Sequence, residues 1–388
     1  MSKKLNYLLL SFIASAGVYA YLSYHHYMVK LGLGGTSLCQ VSETINCDVA
    51  ALSKYAEILT IPIAVIGLSY SIIMLGVFLF AKFGWFEETE GYKTIVKTLT
   101  ALSAVFSLVL LFISVFQLKA FCPFCIAGYV LSFIIVFLTW SLYSDSKFNL
   151  NISAIALEKG FLGTLLAVPL LAWFISGSVR DSYGLDQMQK IVPEKIFQWQ
   201  KATAVTFDNT LGLVKGSSEA TAPVLVEFAD FKCPHCKTAA NTIKNYLAGN
   251  KNVKMIFKPY PLDGVCNPHM PQKGDGSRCE LAGWAICGEK LFAKGWDIHY
   301  WIFDHQESMM SDSDLSSHLQ SMGKDLGIDT AQLKTCATSA ETFDIIKKSA
   351  AEGEAAKITG TPSIFVNGKK LEYGQFIDVL RGAIGTLQ

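Results

Sequence analysis

Charge is scarce in this chain. Only 17% of its 388 residues are Asp, Glu, Lys or Arg, and 33 basic against 32 acidic side chains leave a formal net charge of +1. With so little excess charge there is no electrostatic footprint for nucleic acid or for strongly acidic ligands. Histidine is scarce too, at seven residues, which leaves few partners for a zinc site built from cysteine and histidine. Apolar surface stands in place of charge: 51% of residues are hydrophobic, unevenly spread. Residues 1–178 hold long apolar runs, whereas residues 180–388 have the composition of an ordinary soluble domain.

Five runs approach or exceed the roughly 20 residues needed to cross a bilayer core: Tyr7–Met28, Ile58–Phe83, Leu99–Leu118, Cys122–Tyr143 and Phe161–Gly177, the last being the shortest. Lys3, Lys4, Lys82, Lys93, Lys97, Lys147 and Lys159 flank one side of these runs, against Lys30, Lys54 and Lys119 on the other. Positive residues stay inside, so the N-terminus is expected in the cytoplasm and the large C-terminal part outside. A cleaved signal peptide, suggested by Ala-x-Ala-like positions around Ser15–Ala20, is the weaker reading because the apolar stretch runs well past them.

Under that topology none of the ten cysteines falls on a cytoplasmic loop, a segregation that fits an oxidising compartment. Cys122-Pro-Phe-Cys125 stands where a short turn enters the fourth run, at a helix N-terminus that favours thiolate. Cys39 and Cys47 lie in the loop after the first run, behind Leu33-Gly-Gly-Thr36, where a second pair could reach the membrane-edge pair on one side and a soluble partner on the other. A redox relay accounts for both pairs better than a structural loop disulfide or a metal site.

In the C-terminal part, residues 180–210 read as a linker with a leading helix. Val224–Phe231 is β-branched and aromatic, as in a buried strand. It runs into Cys233-Pro-His-Cys236 and a helical stretch, Lys237–Leu247. Strand, CxxC, helix is the thioredoxin-type redox order. Glu227 on that strand is a candidate proton acceptor for Cys236, and the imidazole of His235 beside Cys233 would favour its thiolate. A stabilised reduced form makes the disulfide oxidising. Thr359-Gly-Thr-Pro362 precedes a strand, Ser363–Val366, making Pro362 a candidate cis-proline facing the CxxC. Residues 277–356 read as a helical insertion and Tyr373–Leu387 as a final helix. Cys266, Cys279, Cys287 and Cys336 lack CxxC spacing. Of their three possible pairings, Cys266–Cys279 and Cys287–Cys336 are expected, each contributing about 2–4 kcal/mol.

Residues 7–143 resemble the vitamin K epoxide reductase family, on Cys39, Cys47, Ser53, the Ile61-Pro62-Ile63-Ala-Val-Ile-Gly67 helix start and Cys122-Pro-Phe-Cys125. Tyr129 matches a family position near the quinone, so the resemblance implies Cys125, Tyr129, Pro62 and Ile63 as quinone-binding residues. Thr60 stands where bacterial members commonly have glycine. Ile63 stands near a polar substrate-contacting position of the vertebrate enzyme, which argues against vitamin K epoxide as substrate. Residues 208–388 look like a DsbA-like thioredoxin-fold oxidase, on Glu227, Phe231-Lys-Cys-Pro-His-Cys236 and Gly360-Thr-Pro362.

Together the resemblances imply an α-helical membrane bundle joined to an α/β thioredoxin-fold domain with a helical insertion. A four-helix core would occupy residues 1–150, a fifth tethering helix and linker 151–207, and the extracytoplasmic domain 208–388. The implied setting is a bacterial inner membrane, with the domain facing the periplasm or exterior. The implied cofactor is ubiquinone or menaquinone, with no metal. The implied partners are secreted or periplasmic proteins with reduced thiols and the membrane quinone pool. Electrons would pass from substrate thiols through Cys233/Cys236, Cys39/Cys47 and Cys122/Cys125 to the quinone, with Cys47 as the loop contact of Cys233. The alternatives are a vitamin K epoxide or quinone reductase proper, an external disulfide reductase or isomerase, and an inert scaffold.

Overall fold

The computed structural model of the protein describes residues 3–32, 45–85, 88–146 and 159–387. Cys39 and the Leu33–Thr36 stretch lie outside them. The chain divides near Asp186 into two units.

In the first unit, five helices among the described residues are long and apolar enough to cross a membrane. They are α1 (Lys3–Lys30), then, after the short α2 (Cys47–Ala51), α3 (Ile63–Lys82), α4 (Glu90–Phe112), α5 (Pro123–Leu142) and α6 (Lys159–Ser182). Helix α1 packs on α3 and α5, α4 packs on α5, and α6 lies on α3. Leu5, Leu8 and Phe12, spaced along one face of α1, meet Met74, Phe78, Val96 and Ile135 in the bundle core. The outward faces stay apolar, with Leu10, Ile13, Leu102, Val105, Val109 and Phe137 exposed. Such a surface suits hydrocarbon rather than water.

Two helices begin where polar chemistry, not the apolar run, sets the boundary. Helix α4 starts at Glu90 instead of Leu99, because Thr89 caps it by accepting the Tyr92 N–H and Glu90 suits the positive end of the helix dipole. Helix α3 starts at Ile63 because Glu57–Ile58 (β1) and Ile61–Pro62 (β2) pair as a minimal hairpin. Its tip residues Leu59 and Thr60 take left-handed φ of 49° and 68°, the conformation that favours glycine. Arg180 donates to the Thr60 hydroxyl at 2.6 Å and fastens the tip to the end of α6.

The second unit opens with α7 (Leu185–Lys201). Its sheet runs in the order β3 (Leu213–Gly216), β5 (Lys254–Pro259), β4 (Val224–Ala229), β6 (Ser363–Val366), β7 (Lys369–Lys370). The central β4 is parallel to β5 and antiparallel to β6. Helix α8 (Pro234–Gly249) follows β4. The insertion between β5 and β6 holds α9 (Ser277–Phe292), α10 (Gly295–Asp304), α11 (Gln306–Met309), α12 (Ser316–Leu326), α13 (Thr330–Ala337) and α14 (Ala340–Ala355), and α15 (Ile377–Gly385) closes the chain. Disulfides Cys266–Cys279 and Cys287–Cys336 are both present. The first closes a loop whose backbone N–H groups at Val265, Gly274 and Gly276 converge on Asp263.

His299 on α10 is buried between Phe231, Phe257, Trp296 and Phe303. Burial holds its pKa well below the usual imidazole value, and the ammonium groups of Lys215 and Lys244 add to the effect. The folded state therefore keeps His299 neutral while the unfolded chain protonates below about pH 6.5. Stability falls as pH drops through that value, by about 2 kcal/mol at pH 5. His299→Leu is expected to remove this acid-side loss, read as a flatter urea midpoint against pH between 7 and 5.

Candidate active site

The membrane unit brings Cys47 and Cys122 together through backbone pairing. The Asn46 N–H donates to the Phe121 carbonyl at 3.0 Å, and Ile45 and Phe121 form an isolated bridge. Asn46 also caps α2 by accepting the Asp48 N–H. The result is a buried cluster of Cys47 and Cys122, with Phe124 and Cys125 packed against it. Cys122 is the N-cap of α5 and forms a disulfide with Cys125. Cys47 is itself in disulfide linkage.

Cys47, Ser53, Ile63, Cys125 and Tyr129 line a cavity of about 110 Å³. Tyr19, Ile63 and Leu110 separate it from a second cavity of about 320 Å³ between α1, α3, α4, α5 and α6. Pro62 is buried at the N-cap of α3, next to Ile63. Ser53 closes α2 by donating to the Ala50 carbonyl. Tyr19 was not legible from the sequence. It sits in a notch made by two glycines, since a Cβ on Gly67 would meet its ring at 2.7 Å and one on Gly128 its hydroxyl at 3.2 Å.

In the soluble unit, Cys233 is the N-cap of α8 and Pro234 supplies the first helical residue. The Cys233 thiol is held down at about 6, chiefly by the hydrogen bond from the Cys236 thiol. Burial opposes that shift, while Thr361 and the backbone N–H groups of Cys236 and His235 support it. The His235 side chain is exposed, and its backbone N–H is among the groups that favour the Cys233 thiolate. Cys236 is fully buried, and burial, then the Cys233 sulfur and Glu227, push its thiol well above the ordinary value. Glu227 lies at the middle of β4, opposite Phe257 and Ile364. Neither carboxyl oxygen has a hydrogen-bond partner, and burial followed by the Cys233 charge raises its pKa to about 8. Thr361–Pro362 is cis, and Cys233 Sγ contacts the Thr361 carbonyl at 3.4 Å.

The vitamin K epoxide reductase family model matches residues 7–140 and a thioredoxin family model matches residues 209–385. The chain joins a vitamin K epoxide reductase family domain to a thioredoxin domain. The vitamin K epoxide reductase domain holds the Cys122–Cys125 disulfide and its cavity, and the thioredoxin domain holds Cys233 and Cys236 as free thiols. A probable disulfide bond formation protein D of Bacillus cereus is 28% identical over 163 residues, 38% of this chain and 67% of that protein. A Na(+)/H(+) antiporter, NhaA 3 of Salinispora tropica, is 24% identical over 171 residues, 44% of this chain. The match spans 24% of the antiporter's length. Among solved structures, oxidised BdbD from Bacillus subtilis is 20% identical with a TM-score of 0.41, over 48% of this chain and 97% of that one.

Gln306 is a further residue of the thioredoxin domain that sequence reasoning missed. From α11 its side-chain amide donates to the carbonyls of Phe231 at 2.7 Å and Cys233 at 3.0 Å. No local motif marks a glutamine 73 residues away from the cysteine it serves. Gln306→Leu takes the side-chain donor from the buried Phe231 carbonyl, while the Cys233 carbonyl keeps the Cys236 and Lys237 N–H groups, and it is expected to destabilise the domain by about 1–3 kcal/mol, read in urea unfolding. Among the described residues no three potential ligands converge on a metal position.

Proposed function

We propose that the chain is a thiol oxidase that forms disulfides in proteins outside the cytoplasm and passes the electrons to a membrane quinone. The observation carrying the reading is the stabilised Cys233 thiolate, because a dithiol held in its reduced form makes an oxidising disulfide. A substrate thiolate attacks Cys233 in the Cys233–Cys236 disulfide, and Cys236 leaves and is protonated by way of Glu227. A second substrate thiolate then releases Cys233, whose low pKa makes it a good leaving group.

Reduced Cys233 next attacks the loop pair at Cys39, rather than at Cys47 as the resemblance implies, because Cys47 is buried against Cys122. Cys47 then hands the electrons to Cys122, and Cys125 is the sulfur nearest the terminal acceptor. Joining both domains in one chain raises their effective concentration toward the millimolar range. The mostly apolar cavity, with Cys125 in its wall and the Tyr19 and Tyr129 side chains among its few polar edges, suits a flat apolar ring. Tyr129, Ile63 and Cys125 would hold a quinone there, with Pro62 fixing the start of α3. When bound, the quinone supplies an acceptor for two electrons and two protons. The excess of lysines at the opposite ends of the helices supports a periplasmic or exterior thioredoxin domain.

Purified full-length protein in lipid nanodiscs, given a reduced dithiol peptide and a ubiquinone analogue, is expected to consume both in equal amounts. Cys236→Ala combined with Cys47→Ala should trap a Cys233–Cys39 mixed disulfide, found as one crosslinked tryptic pair. Quinone that stays oxidised while the peptide dithiol stays reduced would overturn the quinone-linked oxidase reading.

A further inference from the structure

A buried acid–base pair lies beside the membrane cysteines, with its histidine on the wall of the cavity that Cys47 and Cys125 also line. His25 Nε2 stands 2.8 Å from Asp48 Oδ1, with side chains 6% and 1% exposed. Asp48 directly follows Cys47 in α2. One turn before His25, the Tyr21 ring packs on the His25 ring and on Phe124, which lies inside the Cys122–Cys125 turn. His25, Cys47, Cys125 and Tyr129 line one cavity. His26, also on its wall, meets Glu57 Oε1 at 2.9 Å, and Lys30 Nζ meets the same oxygen at 2.7 Å. Glu57 is 26% exposed and so connects this cluster to water.

Helix packing alone does not account for the pair. Removing two charged groups from water generally outweighs their attraction, and apolar residues of similar size would hold the helices as well. Ionisable side chains kept inside a membrane bundle mark functional positions.

We propose that His25 and Asp48 form a proton-transfer pair serving Cys125, with His26 and Glu57 as its outlet to water. This rests on the reading that Cys122 and Cys125 are oxidised by a quinone. Two thiols lose two electrons and two protons as the Cys122–Cys125 bond forms, and the quinone gains both and leaves as the hydroquinone. A thiol reacts only once deprotonated, so Cys125 needs a base before electrons move and the acceptor oxygen needs an acid afterwards. Neutral His25, oriented by Asp48, takes the Cys125 proton, and the Asp48 carboxylate stabilises the charged ring. His25 then gives the proton to the acceptor oxygen, and the proton of the second thiol follows the same route, while His26 and Glu57 re-equilibrate the pair with water between turnovers. The titratable and charged groups around His25 are Asp48 from α2, Glu57 from the hairpin, Tyr21, His26 and Lys30 from its own helix, and Tyr55 and Tyr129 on the cavity wall. Where α4 ends, the cavity wall is uncharged: Leu110, Ile113, Ser114 and Leu118.

The test uses pre-reduced full-length protein in nanodiscs. Single-turnover oxidation by a water-soluble ubiquinone analogue is followed from pH 5.5 to 9. Maleimide alkylation of Cys125 is followed over the same range without quinone. His25→Gln and Asp48→Asn are expected to slow oxidation about a hundredfold at pH 7 and flatten its pH profile, with Asp48→Glu restoring most of the rate. Alkylation of Cys125 at pH 7 should fall about tenfold in His25→Gln, as the thiolate loses its cationic neighbour. Unchanged rates and profiles overturn the proposal. A slower variant whose pH profile and Cys125 alkylation match the parent's also overturns it, since that reports packing alone. If the parent protein is not oxidised by quinone while the alkylation shift appears, the acceptor assignment fails and the proton role of His25 stands.

Discussion

Replacing Glu227 by leucine is expected to stabilise the protein by about 5 kcal/mol at pH 8 and to slow disulfide exchange at the Cys233–Cys236 pair about a hundredfold. The carboxyl group is fully buried on the central strand, neither oxygen has a hydrogen-bond partner, and its pKa is raised to about 8. The folded protein therefore holds the proton up to about pH 8, whereas the unfolded chain releases it near 4.5. Stability is greatest below that lower value and is lost steadily as pH rises between the two. Each unit corresponds to about 1.4 kcal/mol. Above pH 8 the folded form ionises as well and the loss levels off. Leucine removes both the ionisation and the unpaired polar atoms. Chemical denaturation at pH 5, 6.5 and 8 should show a gain that grows with pH. A gain independent of pH would mean that Glu227 titrates normally. The same substitution removes the group placed to exchange protons with Cys236, so stability rises as activity falls.

Alkylation of the reduced protein by iodoacetamide is expected to strike Cys233 about a hundredfold faster than Cys236 at pH 7, with a midpoint near pH 6. Cys236 is protected twice, by an elevated thiol pKa and by complete burial. Substitutions at His235 separate two causes. His235→Ala keeps the backbone N–H that favours the Cys233 thiolate, and the midpoint should barely move. His235→Pro removes that donor and should raise the midpoint by about one unit. Equal shifts in both variants would return the effect to the imidazole. Cys233→Ser should abolish substrate oxidation, because a serine hydroxyl cannot enter thiol–disulfide exchange. Alkylation sites are read by peptide mass mapping of the full chain.

Some strands hid from sequence reading for a physical reason. The β5 segment Lys254–Pro259 carries two lysines and reads as polar, yet Lys258 is wholly buried. Its ammonium donates to Glu352 at 2.5 Å and to the Asp208 carbonyl at 2.6 Å. Charge at that strand position is tolerated only because residues far along the chain neutralise it. Helix boundaries at Glu90 and Ile63 differ from the apolar runs in the same way, since capping and the hairpin turn act at the ends where hydropathy says nothing.

What the sequence by itself determined is everything governed by short range and composition. That includes the division into an apolar and a polar half, the five spans, both CxxC turns at helix starts and the cis-proline position. Periodicity and local spacing encode those features directly. Only the tertiary structure decided which distant groups meet. Pairing of Asn46 with Phe121 brings Cys47 to Cys122, glycines on two helices make room for Tyr19, and Gln306 clamps the carbonyl of Cys233. The two adjacent histidines of the first apolar helix drew no reading from the sequence, and nothing in the sequence pattern marks Asp48 and Glu57 as their partners. A buried polar group requires some partner, and the chain folds until one is supplied, but the sequence pattern around such a group does not say where along the chain that partner lies.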